Sequence, residues 1–371
     1  MSNARNLANL LGTGTQITTA DIADGAFQAN KNLIINGSQI VAQRDTSGTS
    51  TADIYTMDRF ALGHGSPVNA MTFEQSTDVP DNFKNSLKIT AGTGASASTT
   101  GYAILRQAIE GQNISHLGFG TSAAKALTLS FWVKSSLTGT FGVSVRNQAG
   151  TRAYGGTYSI SSANTWEYVT VSIPADTSGT WPTNNGIGLH LFWDLGAGSN
   201  YDIAAGSWTN GSNMFGVEST VKLTETTGAT FNITGVQIEV GEQATPFEHR
   251  SFGDELARCQ RYYEHSYPYG TAAGAANGGI GAYHIHAGAL RANFYGFVTT
   301  RYTVQKRASA TVTVYSYGGT SGQISNGDSG ANIGAASVIQ NGATSFLIRN
   351  NSGGTLSDQP IIFHYSGDAE L

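Results

Sequence analysis

From Leu127 to Lys134 every second residue is apolar: Leu127, Leu129, Phe131 and Val133 alternate with Thr128, Ser130, Trp132 and Lys134. A period of two is what a strand with one buried face requires, and it excludes a helix, whose apolar residues recur about every 3.6 positions. Phe141, Val143 and Val145 repeat the pattern after the break SSLTGT, so the two runs read as a hairpin. Val169, Val171 and Ile173 supply another inner face, closed by Pro174, and Ile187, Leu189, Leu191 and Trp193 supply a further one. In the last run the phase changes, with Phe231 and Ile233 on one parity and Val236, Ile238 and Val240 on the other. That predicts a β-bulge near Gly235.

Composition supports the same class. Only 12% of the 371 residues are charged and 47 are glycine, with Ser, Thr and Asn filling much of the rest, a mix suited to short strands and turns. The length allows two or three domains of roughly 100–200 residues. Short strands over residues 33–250 fit a jelly roll better than an immunoglobulin-sized sandwich. The expected fold is mostly β: an antiparallel jelly-roll sandwich over 33–250, a connecting helix within 251–266, and a second β-domain over 267–371.

The helix is marked by Ser251 as N-cap, by Asp254 three residues later, and by Phe252, Leu256, Cys259 and Tyr263 on one face. Strands are expected again in AYHIHAGALRANFYGFVTT, in ATVTVYS, around SFLIRN and in PIIFHYS, with loops at GTAAGAANGG and over residues 318–333. Residues 1–32, with Leu7, Leu10 and Leu11 as a small apolar cluster, cannot build a core alone. They read either as a frayed terminus or as a segment that orders against a partner or symmetry mate.

Several function classes are disfavoured. A net charge of −5 and a pI of about 5.9 provide no basic field for nucleic acid. No apolar run approaches the roughly 18 residues that span a bilayer, and MSNARNLANLL lacks the pattern of an export signal. Cys259 is the only cysteine, which leaves neither a disulfide framework nor a cysteine metal site, and its place on an apolar helix face reads as a structural thiol. Acidic residues are scattered singly, and no GxSxG, HExxH or Walker-type loop occurs, so no catalytic residue is assigned.

The run ITGVQIEVGEQATPFEHRSFGDELARCQRYYEHSY, Ile233 to Tyr267, resembles a junction recurrent in phage tail-fibre and minor virion proteins. NLIINGSQIVAQR followed by YTMDRF resembles the first strand of that family's jelly roll, and YTVQKRASATVTVYS with the closing DAEL resembles its terminal domain. The resemblance implies a virion structural protein, often homotrimeric, with a jelly roll similar to carbohydrate-binding modules. In that setting residues 1–32 join other virion proteins and the outer domains contact host cell-surface glycan. Architectural capsid-fibre, decoration or adaptor roles, and a glycan-cleaving tailspike, are the alternatives. No catalytic or binding residue is carried over. At the junction, Phe247 and Phe252 are expected beneath the helix, with Arg250 and Arg258 pairing Glu248 or Glu255.

Three candidate sites remain. Sugar rings stack on aromatic faces while amides and carboxylates take their hydroxyls. The stretch from Trp181 to Trp208, with Asn184, Asn185, Asn200, Tyr201 and Asp202, has that character. Trp208 and Tyr201 are the residues expected to be exposed, with Trp181 and Asn200 beside them, whereas Trp193 lies on the inner parity of its strand. Tyr267, Tyr269 and the loop 318–333 offer a second tip. His284 and His286, two apart on a strand, point to one side and in a trimer would gather six imidazoles about the axis for a transition metal. The bland alternative is two solvated histidines. A structural calcium is conceivable in a jelly roll, but no loop spacing names its ligands.

Overall fold

The computed structural model describes residues 30–65, 69–96, 98–286, 297–350 and 360–371. The segment 1–29, residues 287–296 within the expected strand region, and the side chain of His286 lie outside the described residues.

In chain order the first fifteen strands are β1 Ser47–Ser50, β2 Ile54–Tyr55, β3 Ala61–Gly65, β4 Met71–Ser76, β5 Ser86–Ala91, β6 Tyr102–Glu110, β7 Leu127–Ser135, β8 Gly139–Arg146, β9 Arg152–Ile160, β10 Glu167–Ile173, β11 Ile187–Asp194, β12 Asp202–Ile203, β13 Trp208–Asn210, β14 Gly216–Val217 and β15 Thr230–Val240. Thirteen of them form an antiparallel jelly-roll sandwich, while β12 and β14 pair in parallel outside its two sheets. A six-stranded sheet has the order β1-β4-β5-β15-β7-β10, and a seven-stranded sheet has the order β13-β9-β8-β11-β6-β3-β2. The alternating residues meet between them: Phe131 lies 5.1 Å from Tyr158 and 5.8 Å from Trp193, ring centre to ring centre. Each large side chain removed from water there contributes roughly 2–3 kcal/mol.

The expected hairpin of Leu127–Val133 with Phe141–Val145 does not form. β7 belongs to the six-stranded sheet and β8 to the seven-stranded one, where β8 pairs with β9 and β11. Both runs carry an apolar face, so each lies on one side of the same core, and the intervening turn crosses between layers. The bulge in β15 is present. Its pairing with β7 shifts between Thr234 and Gln237, and Gly235 adopts φ +61°. The shift lets Ile233 and Val236 both reach the core, where each is fully buried.

The segment Asn32 to Arg44, read as a first strand, is an irregular and largely buried loop. Side chains satisfy its backbone in place of a sheet. Asn36 Oδ1 accepts from the Val41 N–H at 2.9 Å, Gln107 Oε1 accepts from Ile35 N–H at 2.9 Å, and Asp58 Oδ2 accepts from Gln43 N–H at 2.6 Å.

Helix α1, Phe252–Gln260, begins where expected, with Ser251 Oγ accepting from Asp254 N–H at 3.2 Å. It stops before Tyr263, which instead starts a strand, so Tyr263 is not part of the helix face. Cys259 and Leu256 do pack inward, with Ile35, Val41 and Tyr262. Phe252 is 43% exposed rather than buried beneath the helix, with its edge against Tyr269 at 5.1 Å, and half-buried Phe247 packs on Phe83 at 5.2 Å. Arg250 meets both Glu248 and Glu255, whereas Arg258 donates to Asn30 Oδ1.

The remaining strands are β16 Tyr263–His265, β17 Tyr283–His286, β18 Phe297–Arg301, β19 Thr311–Tyr315, β20 Gln323–Asn326, β21 Asn332–Ile339, β22 Ser345–Asn350 and β23 Pro360–Asp368. They make a third sheet gathered around β23, with β17 and β19 also pairing to it. The expected loop 318–333 therefore contains β20 and the start of β21. Beneath this sheet Lys306 Nζ and Glu264 Oε2 form a buried pair at 2.7 Å, completed by the Thr303 N–H at 3.0 Å.

Candidate functional site

The two faces of the sandwich turned away from its core differ. On the seven-stranded sheet the excursion between β11 and β15 lies over the strands, packing Ala197 and Phe215 on Ile104 and Phe192. On the six-stranded sheet one half is covered. Gln237 and Glu239 are tied to the turn around Thr245 and Glu248, through Glu239 Oε1 with Thr245 N–H at 2.8 Å and Gln237 Oε1 with Glu248 N–H at 2.9 Å. The other half stays open.

The open half carries aromatic side chains in register. Trp132 of β7 stands opposite Tyr168 of β10, with ring centres 5.4 Å apart, and Tyr168 is 46% exposed. Strand periodicity sets this, since both alternate with core residues, Phe131 and Val133 in one strand and Val169 in the other. On the other side of Trp132 runs the bulge of β15. A Cβ at Gly235 would come 2.7 Å from Phe83 Cζ and 3.1 Å from Trp132 Cδ1, so these two rings close over the bare glycine. Phe83 then leads to Phe247 and to exposed His249, at 5.2 and 5.3 Å. The result is an aromatic row that crosses the sheet from its edge toward the junction.

Polar groups border the row. Trp166 Nε1 donates to Asp78 Oδ1 at 3.0 Å, Lys134 pairs with Asp78 Oδ2, and the Lys134 ammonium lies 5.7 Å from the Trp166 ring centre. The Lys134 hydrogen bond, aided by that of Trp166, holds the Asp78 carboxyl below its usual range despite some burial. One row further, buried Asn232 sits in register between Lys88 and Lys134, and among the described residues its Nδ2 has no hydrogen-bond partner. Lys88 itself pairs with Glu74 at 2.8 Å. Ring faces beside ammonium groups and carboxylates are the complement a sugar needs: a surface for its C–H face and partners for its hydroxyls.

The residues singled out from sequence fall elsewhere and do not converge. Trp181 is buried and Trp208 half-buried, 5.6 Å apart and packed with Phe119. Both indole N–H groups are used internally, Trp181 with Asp176 Oδ2 at 3.2 Å and Trp208 with Pro174 O at 3.0 Å. Tyr201, also half-buried, stacks on Phe215 at 4.4 Å and donates to Thr100 O at 3.0 Å. The expectation that Trp208 and Tyr201 project into solvent is thus corrected, because Trp208 packs on Phe119, Tyr154 and Trp181, and Tyr201 on Phe215. Asn200 and Asn185 are exposed, and Asn185 donates to Arg307 O at 3.0 Å. At the second tip Tyr267 is buried, stacked on His364 at 3.9 Å, while Tyr269 is 47% exposed with its hydroxyl on Ile40 O.

Among the described residues no three His, Cys, Asp or Glu side chains gather as a metal site. His284 is exposed on β17. Asp194 and Asp202 converge on Lys222 Nζ, which also reaches Val217 O at 3.4 Å, so an ammonium stands where two carboxylates would face a cation. Cys259 is fully buried, and burial pushes its thiol well above the usual range.

Trp132 and Tyr168 carried a sequence signal. Each is a large aromatic on the polar parity of a strand whose other parity is core. Phe83 and His249 reach the row only through the fold.

No protein-family model and no curated protein matches the sequence. Among solved structures, the enzymatically active domain of tailspike protein 4 from bacteriophage CBA120 is 16% identical with a TM-score of 0.30, over 57% of this chain and 22% of that one. A putative sugar binding protein from Bacteroides thetaiotaomicron is 16% identical with a TM-score of 0.30, over 57% of this chain and 100% of that one. The xylan-binding domain from Paenibacillus barcinonensis is 9% identical with a TM-score of 0.29, over 59% and 100%.

Proposed function

We propose that this chain is a structural protein of a phage particle, of the tail-fibre type, which contacts host cell-surface glycan through the row of Tyr168, Trp132, Trp166 and Phe83. The observation that carries the glycan contact is the placement of Trp132 and Tyr168, in register, on an open sheet face bordered by Lys134 and Asp78. The virion assignment rests on the junction motif Ile233 to Tyr267. On this reading residues 1–32 join the particle and the chain assembles as a homotrimer. Copies on a particle then turn weak single contacts into firm attachment, since linked sites gain effective concentration without new contacts.

Binding of the full chain to host cells tests this. Trp132→Ala with Tyr168→Ala should reduce cell binding at least tenfold while changing stability by only about 1–2 kcal/mol, as expected for side chains outside the core. Undiminished binding by the double variant, with wild-type sedimentation, would reject the row as the contact.

A further inference from the structure

On the opposite side of the sandwich, the outer face of the seven-stranded sheet holds a guanidinium that has no counter-charge among the described residues. Arg146, at the end of β8, stands in register with His190 of β11. Its guanidinium carbon lies 4.9 Å from the ring centre of Phe192 and 5.8 Å from that of Phe215. His190 stacks on Phe192 at 5.2 Å and is only 6% exposed. Among the described residues neither the Arg146 Nε nor the His190 Nδ1 has a hydrogen-bond partner. The other charge facing them is Arg106, whose own partner is Asp53 at 3.1 Å.

Among the described residues Arg146 makes no ion pair. Burial, and then the like charge of Arg106, lower its pKa to about 10, which leaves it charged at neutral pH. Burial, then Arg146 and Arg106, lower His190 to about 3, which leaves that ring neutral. A charge drawn from water without a partner is costly, and ring faces compensate only part of that cost. An anion supplies the rest. The planar guanidinium fork matches a carboxylate through two parallel N–H bonds, and a neutral imidazole offers one more ring nitrogen as donor or acceptor. Half-buried Tyr102 and Tyr201 flank Phe215 at 5.3 and 4.4 Å, placing aromatic faces beside the charge.

We propose that Arg146 and His190 bind the carboxylate of an acidic sugar. The sugar as bearer of the carboxylate rests on the glycan reading above; the carboxylate itself rests on Arg146 alone.

The test is titration of the full-length ¹⁵N-labelled chain with sodium acetate, with oligogalacturonate and with a neutral oligosaccharide of equal length. The Arg146 side-chain and His190 ring resonances are followed, and binding constants are measured for wild type, Arg146→Lys and Arg146→Met. The expected result is that acetate and oligogalacturonate shift both resonances. Oligogalacturonate should bind at least tenfold more weakly to Arg146→Met, and by an intermediate amount to Arg146→Lys, which keeps the charge but loses the fork. If oligogalacturonate binds equally to all three proteins and only Trp132→Ala weakens it, the Arg146 site is overturned and the glycan reading stands. If acetate shifts both resonances and oligogalacturonate does not bind, the carboxylate site stands and the acidic sugar is overturned, while the glycan reading is decided separately by host-cell binding of the Trp132→Ala, Tyr168→Ala variant. If no carboxylate moves either resonance in the wild-type chain, the site is overturned outright.

Discussion

Gly235 shows how one residue links sequence to surface. With φ +61° it occupies a conformation that a side chain resists, and the space a Cβ would fill belongs to Phe83 and Trp132. Gly235→Ala should cost about 1–3 kcal/mol from the backbone and the clash together, and it should also displace Phe83 from the aromatic row. Thermal unfolding reads the first effect and glycan binding the second. The buried histidines set an acid limit at the same scale. Burial lowers His190 to about 3 and His364 to about 4, with Arg146 and Arg106 adding to the shift at His190 and the histidines His265 and His284 adding to it at His364. The unfolded chain, titrating near the ordinary 6.5, therefore binds the extra proton. The stability these neutral rings contribute is full above pH ~6.5 and is lost as pH falls from there toward 4 and then 3. His190→Gln should flatten the dependence of stability on pH between about 6 and 4; an unchanged slope would show that His190 is not buried neutral.

At the scale of elements, the strands that lie on the core were legible because their signal is local. Alternation at Leu127–Lys134, Glu167–Ile173 and Ile187–Trp193 marks the buried face directly, and the change of phase across Gly235 marks the bulge. Partnership was not legible. Phe141 follows Val133 closely in sequence, yet the core lies between their strands, and alternation alone does not tell a hairpin from a crossover. The loop from Asn32 to Arg44 was misread for a different reason: its apolar residues are buried, but its backbone partners are side chains far away in sequence, Gln107 and Glu255 among them. Strands β20 and β21 escaped notice because their apolar residues do not alternate: Ile324 stands alone in β20, and Ile333, Val338 and Ile339 fall on both parities of β21. The candidate site was half visible. Trp132 among Thr128, Ser130 and Lys134 stood out on a polar face, while the tryptophans nearer Asn200 were favoured because their stretch looked like a loop. Asn36→Ala tests the irregular loop. It removes an acceptor for the Val41 N–H and donors to Val41 O and Asp58 O, all buried, and should cost about 2–4 kcal/mol in unfolding free energy.

At the scale of the molecule, the sandwich and the third sheet are joined through buried charge. Glu370 pairs with Arg59, both nearly inaccessible, and with Arg44, which also meets Asp368 at 2.9 Å. Arg307 donates to the carbonyls of Ala369 and Glu370, while Arg261 meets Glu110 at 2.7 Å. Removing one partner of such a pair leaves the other buried and unpaired. Glu370→Ala should therefore cost about 3–5 kcal/mol and separate the unfolding of the two parts into distinct calorimetric transitions. The joined parts leave the face of Trp132 and Tyr168 on one side of the sandwich and Arg146 on the other.

The most direct measurement of the central claim is hydroxyl-radical footprinting of the full chain with and without bound host cell-surface polysaccharide. The account predicts protection at Trp132, Trp166 and Tyr168, with Trp181 and Trp208 unchanged as internal references. Protection at Trp208 and Tyr201 with the row left reactive, or no protection at any of these residues under saturating polysaccharide, would contradict it.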